Sequence, residues 1–240
     1  MELDFSNLHL IVTGGTGTLG SAVTKLLLDA GAKCSVPSFE EMVPENFHLV
    51  EHKRLYLQTD VDLTKETQAQ KFYKQAVGKQ GDLWGSVNIA GGFGMGKIED
   101  MPLKDFQQQV NLNTLTCYNS CRAAVQMIRE GKHVEGRIVN IASRPALEPR
   151  QGGGMTSYTA SKAAVAALTE SLAAELAEEQ ILVNAVAPSI IDTPANRKAM
   201  PDADFEQWPK GEEIATLIAY LASKKNYVVR GAVIPAYGRS

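Results

Sequence analysis

Thr13-Gly14-Gly15-Thr16-Gly17-Thr18-Leu19-Gly20 sets glycines at Gly15-x-Gly17-x-x-Gly20, between an apolar pentapeptide and a helical pattern. That spacing suits one chemistry, the binding of a pyrophosphate. Glycines let the backbone turn tightly, and they let an anion sit against a helix N-terminus, where free N–H groups and the helix dipole favour negative charge. Any glycine-rich turn matches such a pattern, so a tight turn without a ligand is the alternative. Gly20 stands where the first helical turn must pack on the sheet. An alanine there should cost little, whereas a larger residue should push the helix off the strand. Cys117 and Cys121 are four apart on an expected helix and share a face. They read as two core thiols rather than a metal site, because no His or second Cys pair stands near.

An alternation of short apolar runs and longer helical patterns must position that turn. Strands are expected at 9–13, 33–36, 55–59, 83–88, 137–141, 182–187 and 232–235. Helices are expected after the glycine turn, with Gly31 as its cap, and at 65–77, 103–129, 157–179 and 212–222. The strands are apolar throughout rather than at every second residue, which predicts a parallel sheet covered on both faces. Right-handed crossovers then make the fold class α/β, a doubly wound parallel sheet of about seven strands. Ligands of such sheets sit beyond the carboxyl ends of the strands, here just after Val12, Val36, Thr59, Asn88, Ile141 and Ala187.

Composition narrows the function classes. The 240 residues carry 24 Lys and Arg against 27 Asp and Glu, a net charge of −3. No five-residue run of Lys and Arg occurs, so nucleic-acid binding by bulk charge is excluded. With 44% hydrophobic residues the chain is not disordered, and no apolar stretch approaches the ~18 residues of a membrane span. Three sparse cysteines and an acidic start, Met1-Glu2-Leu3-Asp4, predict a reducing, cytoplasmic setting without a secretory leader. Residues 1–240 are expected to form one domain.

A Tyr-x-x-x-Lys pair alone is unspecific, and the chain has two, Tyr158/Lys162 and Tyr220/Lys224. The first differs in its company. Upstream lie Gly136-Arg137-Ile138-Val139-Asn140-Ile141-Ala142-Ser143, Val110-Asn111-Leu112, Asn88-Ile89-Ala90-Gly91 and Asp60-Val61. Downstream lie Val183-Asn184-Ala185-Val186-Ala187-Pro188 and Thr193-Pro194. In this order and at these distances, from Leu10 to Gly238, the chain resembles the short-chain dehydrogenase/reductase family, single-domain type.

The resemblance implies a Rossmann-fold, NAD(P)-dependent oxidoreductase moving a hydride between nicotinamide and a secondary alcohol or ketone. Tyr158 would be the acid/base, with Lys162 one helical turn on. A phenol of pKa ~10 is a poor base at neutral pH, and a nearby ammonium stabilises its phenolate. Ser143 would hold the substrate oxygen, and Asn111 a water relaying protons to Lys162. For the cofactor, Gly14, Thr16, Gly17, Leu19 and Gly20 match the phosphate turn, and Ser38 the position that chooses the cofactor. Asp60 and Val61 match the adenine contact, and Asn88, Ala90 and Gly91 the nucleotide wall. Pro188, Ile191 and Thr193 match the nicotinamide contacts. Taken singly, Ser143 could cap a turn, Asp60 a helix, and Thr193 a loop end. Homo-oligomers, dimer or tetramer, are implied by likeness to the family's pairing helices, with Ala163, Ala166, Ala167, Ala173 and Ala174 as a small face. A nucleotide-binding scaffold on the same fold, and a lyase or epimerase using the same tyrosine, stay as alternatives.

Four departures from the family pattern bear on the site. Thr18 stands where glycine is common. Ser38 stands where an Asp would bind the ribose diol and repel a 2′-phosphate. No Lys or Arg follows it, but Glu40 and Glu41 do, which leaves the choice open with a lean to NADP(H). Gln151-Gly152-Gly153-Gly154 lengthens the segment before Tyr158. Ser189 replaces a glycine, and the stretch 192–209 is short for a substrate lid. Phe93, Met95, Arg144 and Trp208 could face the substrate pocket. Arg144 could pair with an anionic substrate there, although solvation or a pair with Glu148 is the plainer expectation.

Overall fold

The computed structural model describes residues 3–133 and 135–240. Met1 and Glu2, on which the leader argument partly rests, lie outside them. Seven strands form one parallel sheet: β1 (His9–Thr13), β2 (Lys33–Pro37), β3 (Leu55–Gln58), β4 (Leu83–Asn88), β5 (Glu135–Ile141), β6 (Gln180–Pro188) and β7 (Val233–Ala236). Their order is β3-β2-β1-β4-β5-β6-β7, with every pairing parallel. The order reverses direction between β1 and β4, the switch point at which such sheets hold ligands.

Helices cover both faces. On one, α1 (Thr18–Asp29) and α8 (Gly211–Ala222) bury Leu19, Val23, Leu27, Ile214 and Ile218 against β1, β4 and β6. On the other, α2 (Glu66–Gln80), α4 (Thr116–Glu130) and α6 (Thr156–Glu175) bury Phe72, Tyr73, Cys117, Cys121, Ile128 and Val165 against β1, β4, β5 and β6. These two cores explain why the strands are buried on both faces, polar positions such as His9, Ser86 and Asn140 included. Short helices α5 (Arg144–Leu147) and α7 (Pro194–Ala199) follow β5 and β6 at the carboxyl edge.

The helical pattern expected over 103–129 is interrupted. It runs as α3 (Leu103–Gln109), a π-helical turn (Val110–Leu115) and then α4. The extra residue in the π turn rotates the chain, so the face buried before the turn differs from the face buried after it. The helix expected over 157–179 ends at Glu175, with Leu176 as its cap. Its alanines do not form one surface. Ala166 and Ala173 point into the core, while Ala167 and Ala174 are exposed.

Candidate active site

The phosphate turn joins β1 to α1. Gly14 adopts φ +66°, a left-handed conformation that favours glycine, and a Cβ there would meet the Ala90 backbone. A Cβ on Gly20 would drive into the carbonyl oxygen of Gly14. The expectation that alanine is tolerated at Gly20 is therefore corrected: the helix start lies too close to the turn for even one methyl. Gly17 caps α1 with no side-chain bond, and no acidic residue occupies the first turn. A Cβ on Gly17 would meet only the Gly14 oxygen. A helix N-terminus with unspent N–H groups and room beside them fits a pyrophosphate.

A cleft of about 470 Å³ opens from this turn, lined by Gly14, Thr16, Gly17, Leu19, Gly20, Ser38, Val61, Ala90 and Gly91 among the expected positions. Asp62, Leu63, Glu40 and Thr116 also line it. Asp60 does not. It is exposed, and its backbone, at φ +56°, forms the turn after β3. Asp62 takes the inner place. Its Oδ1 accepts from Thr64 N at 3.0 Å and Thr64 Oγ1 at 2.6 Å, and Lys65 sits 3.2 Å from Oδ2. Burial acts to raise its carboxyl, but these partners hold it below the usual value. Asn88 is also off the cleft. Its amide donates to Asn140 Oδ1 at 2.8 Å and to Cys121 Sγ, inside the core. The same network holds Cys121 as a buried free thiol, and among the described residues no metal-binding cluster exists.

Tyr158 and Lys162 sit in the first turns of α6. Lys162 is buried, and its Nζ donates to Ile141 O at 2.7 Å. Burial pulls its ammonium down to about 8. Tyr158 is half-buried, and burial raises its hydroxyl above the ordinary phenol value while Ser143 acts to lower it. Ser143 ends the crossover from β5 at the N-cap of α5, yet makes no capping bond. Its Oγ is buried and lies near enough to the Tyr158 hydroxyl to act on it, without the geometry of a hydrogen bond to it or to any other described group.

Asn111 points to solvent and reaches none of these groups. Asn113, two residues on, is 1% exposed. It accepts from Gly92 N at 3.0 Å, and donates to Gly92 O at 2.9 Å and to Ser161 Oγ at 3.1 Å. A Cβ on Gly91 would stand 2.6 Å from Asn113 Oδ1 and 3.4 Å from Lys162 Nζ, so the two side chains converge there. The reason is the π turn, which directs residue 113 inward and residue 111 outward.

The expected pocket residues divide. Phe93 stands edge-on to Tyr158, ring centroids 5.0 Å apart, and is itself 61% exposed. Met95 is exposed on the same loop. Arg144 is committed elsewhere: its Nε donates to Glu148 at 3.0 Å, its Nη1 to Ser240 O at 2.9 Å, and its guanidinium covers the Tyr237 ring. Trp208 is buried against Phe205 in a separate concavity that shares no residue with the nucleotide cleft. Pro188 ends β6, Ile191 packs on the core, and Thr193 Oγ1 caps α7 by accepting from Asn196 N at 3.1 Å. Tyr220 packs partly on the core, and its Lys224 lies over the Trp84 ring.

A glycine-cradled helix start at the switch point, with a tyrosine, a lysine and an unpartnered serine at the neighbouring strand end, defines a nucleotide-dependent enzyme. Comparison with known proteins identifies which. The family model for short chain dehydrogenases matches residues 8–204. A 2-dehydro-3-deoxy-D-gluconate 5-dehydrogenase of Bacillus subtilis is 34% identical, over 95% of this chain and 92% of that one. The 3-oxoacyl-(acyl-carrier-protein) reductase FabG of Thermotoga maritima is 30% identical, over 93% and 94%. The crystal structure of a glucose/ribitol dehydrogenase from Brucella melitensis superposes with a TM-score of 0.87 at 26% identity, over 100% and 98%. The chain belongs to the short-chain dehydrogenase/reductase family. It is an NAD(P)-dependent oxidoreductase acting on CH–OH and C=O groups.

Proposed function

We propose that Tyr158 is the proton donor and acceptor in the interconversion of a secondary alcohol and its ketone, with Ser143 holding the reacting oxygen. The observation that supports this most is Ser143 Oγ. A buried hydroxyl without a partner costs stability, and beside the Tyr158 hydroxyl it is a donor kept for a group the chain does not supply. The bound nicotinamide supplies or takes up the hydride. In reduction Tyr158 gives its proton to the carbonyl oxygen, and in oxidation it takes that proton back. Lys162 favours the phenolate by its charge, and Asn113, whose side chain converges with Lys162 at Gly91, takes the part expected of Asn111, holding a water that relays protons to Lys162. Both sites rise from one sheet, which supports a single domain over 1–240. A homo-oligomer, dimer or tetramer, and a cytoplasmic setting complete the reading. The exposed parts of α4 and α6, with Tyr118, Ala167 and Ala174, support the first, and three free thiols the second. Sedimentation as a monomer at micromolar concentration would overturn the oligomer.

Loss of reduced-nicotinamide absorbance with a panel of ketones tests the reaction. Tyr158→Phe should lower the rate by roughly 10²–10⁴-fold while leaving cofactor binding intact. Equal rates in the two proteins overturn the role of Tyr158.

A further inference from the structure

The sequence leaned to NADP(H) because Ser38 offers no carboxylate at the end of β2. The structure removes that ground. Ser38 is buried, and its Oγ donates to Glu40 Oε2 at 2.6 Å, so a carboxylate from two residues further on is drawn back to the place where an acid would stand. The backbone fixes the arrangement. Asp60 N donates to Glu40 O at 3.0 Å and Val61 N to Ser38 O at 2.9 Å, which clamps 38–40 against the turn after β3.

Glu40 Oε1 has no partner among the described residues, and Glu40 lines the cleft beside Ser38. The other cleft carboxylate, Asp62, is spent on Thr64 and Lys65. Among the described residues no Lys or Arg lines the cleft. A carboxylate with an unspent oxygen accepts well from a vicinal diol, whereas a 2′-phosphate would bring negative charge against it with no cation to answer.

We propose that Glu40, held by Ser38, is the residue that selects the cofactor, and that the enzyme takes NAD(H) rather than NADP(H). The carboxylate accepts from the adenosine ribose hydroxyls, and Ser38 sets its rotamer. The inference rests on nicotinamide dinucleotide binding alone and is independent of the acid/base role of Tyr158.

Titration of the protein with NADH and NADPH, followed by nicotinamide fluorescence, tests it without turnover. NADH should bind at least 30-fold tighter. Glu40→Gln should shrink that ratio at least fivefold, by weakening NADH and strengthening NADPH, whereas Glu41→Gln should leave it unchanged. Glu40 is exposed, so the variant should keep the wild-type melting temperature. Ser38→Ala should shrink the ratio in part, because Glu40 then loses its anchor. Tighter binding of NADPH to the wild type, or equal loss of both cofactors in Glu40→Gln, overturns the proposal. Binding of neither cofactor overturns it together with the functional reading, whereas NADH binding without turnover counts against the catalytic reading only.

Discussion

Asn113 Nδ2 donates to Ser161 Oγ at 3.1 Å, which fastens the π turn to α6 one residue before Lys162. Ser161 Oγ in turn donates to Tyr158 O at 2.8 Å, and Thr114 Oγ1 donates to Ser161 O at 2.9 Å. One side chain thus ties the nucleotide wall at Gly92 to the helix carrying the tyrosine and lysine. Asn113→Ala would strand the Gly92 N–H and C=O together, so a loss of roughly 2–3 kcal/mol in unfolding free energy is expected, with a fall in kcat. Asn111→Ala, on the exposed side, should change stability by less than about 0.5 kcal/mol and leave kcat alone. Urea unfolding and steady-state rates of both variants decide it; equal effects would sink the assignment.

The two misplaced residues share a cause. Asp60-Val61-Asp62-Leu63 and Asn111-Leu112-Asn113 each repeat one residue type at a spacing of two. Either member fits a short motif, and only the register of the backbone chooses. At Asp62 the choice is made by a turn with a left-handed residue at Asp60, and at Asn113 by a π turn. Neither leaves a mark in hydrophobic periodicity. The strands, by contrast, were legible almost to the residue at β1 and β4, because both their faces are buried and most positions are apolar, with the polar His9 and Asn88 at strand ends. Arg144 takes Glu148, the partner the sequence favoured, but its remaining contacts and the placement of Trp208 left no local mark. Their partners, Ser240, Tyr237 and Phe205, arrive through tertiary packing at the carboxyl edge.

Phe93 shields the Tyr158 ring and so contributes to the burial that raises its hydroxyl. Phe93→Ala should let water in and move the Tyr158 titration back toward the ordinary phenol value. The alkaline limb of the pH–rate profile should then move to lower pH, with KM rising several-fold for apolar ketones. Profiles of the two proteins that superpose would show that Phe93 does not control the tyrosine.

His9 is a buried histidine outside the site. Gly81 O, which only accepts, lies 2.8 Å from Nδ1, so Nδ1 carries the proton and Nε2 accepts from Ser35 Oγ at 2.8 Å. Burial depresses its pKa to about 4, against 6.5 in the unfolded chain. Its contribution to stability is full above pH 6.5. It is lost as pH falls toward 4, because the unfolded chain binds the proton and the folded one does not. The loss amounts to about 3 kcal/mol across that window. Urea midpoints from pH 7 to pH 4.5 should fall less steeply for His9→Gln than for wild type; parallel curves would remove His9 as the cause.

Lys162 is held against its own stability. It is buried with one carbonyl partner, and its ammonium is lowered to about 8 from 10.5. A folded pKa below the unfolded one means that stability present above pH 10.5 is lost as pH falls through 8, so at pH 7 the fold carries the whole penalty. Lys162→Met keeps the length of the side chain and removes the charge. Against the lost bond to Ile141 O, a net gain of about 1–2 kcal/mol is expected at pH 7, a rise of some 2–8 °C in Tm for a chain of this length. On the proposed role of Lys162 in favouring the Tyr158 phenolate, activity should fall by at least 10²-fold. Calorimetry and rate assays on the same preparation read both effects. A variant less stable than wild type at pH 7 would mean that the ammonium is solvated or paired in solution, and a variant still active would mean that Tyr158 titrates without it.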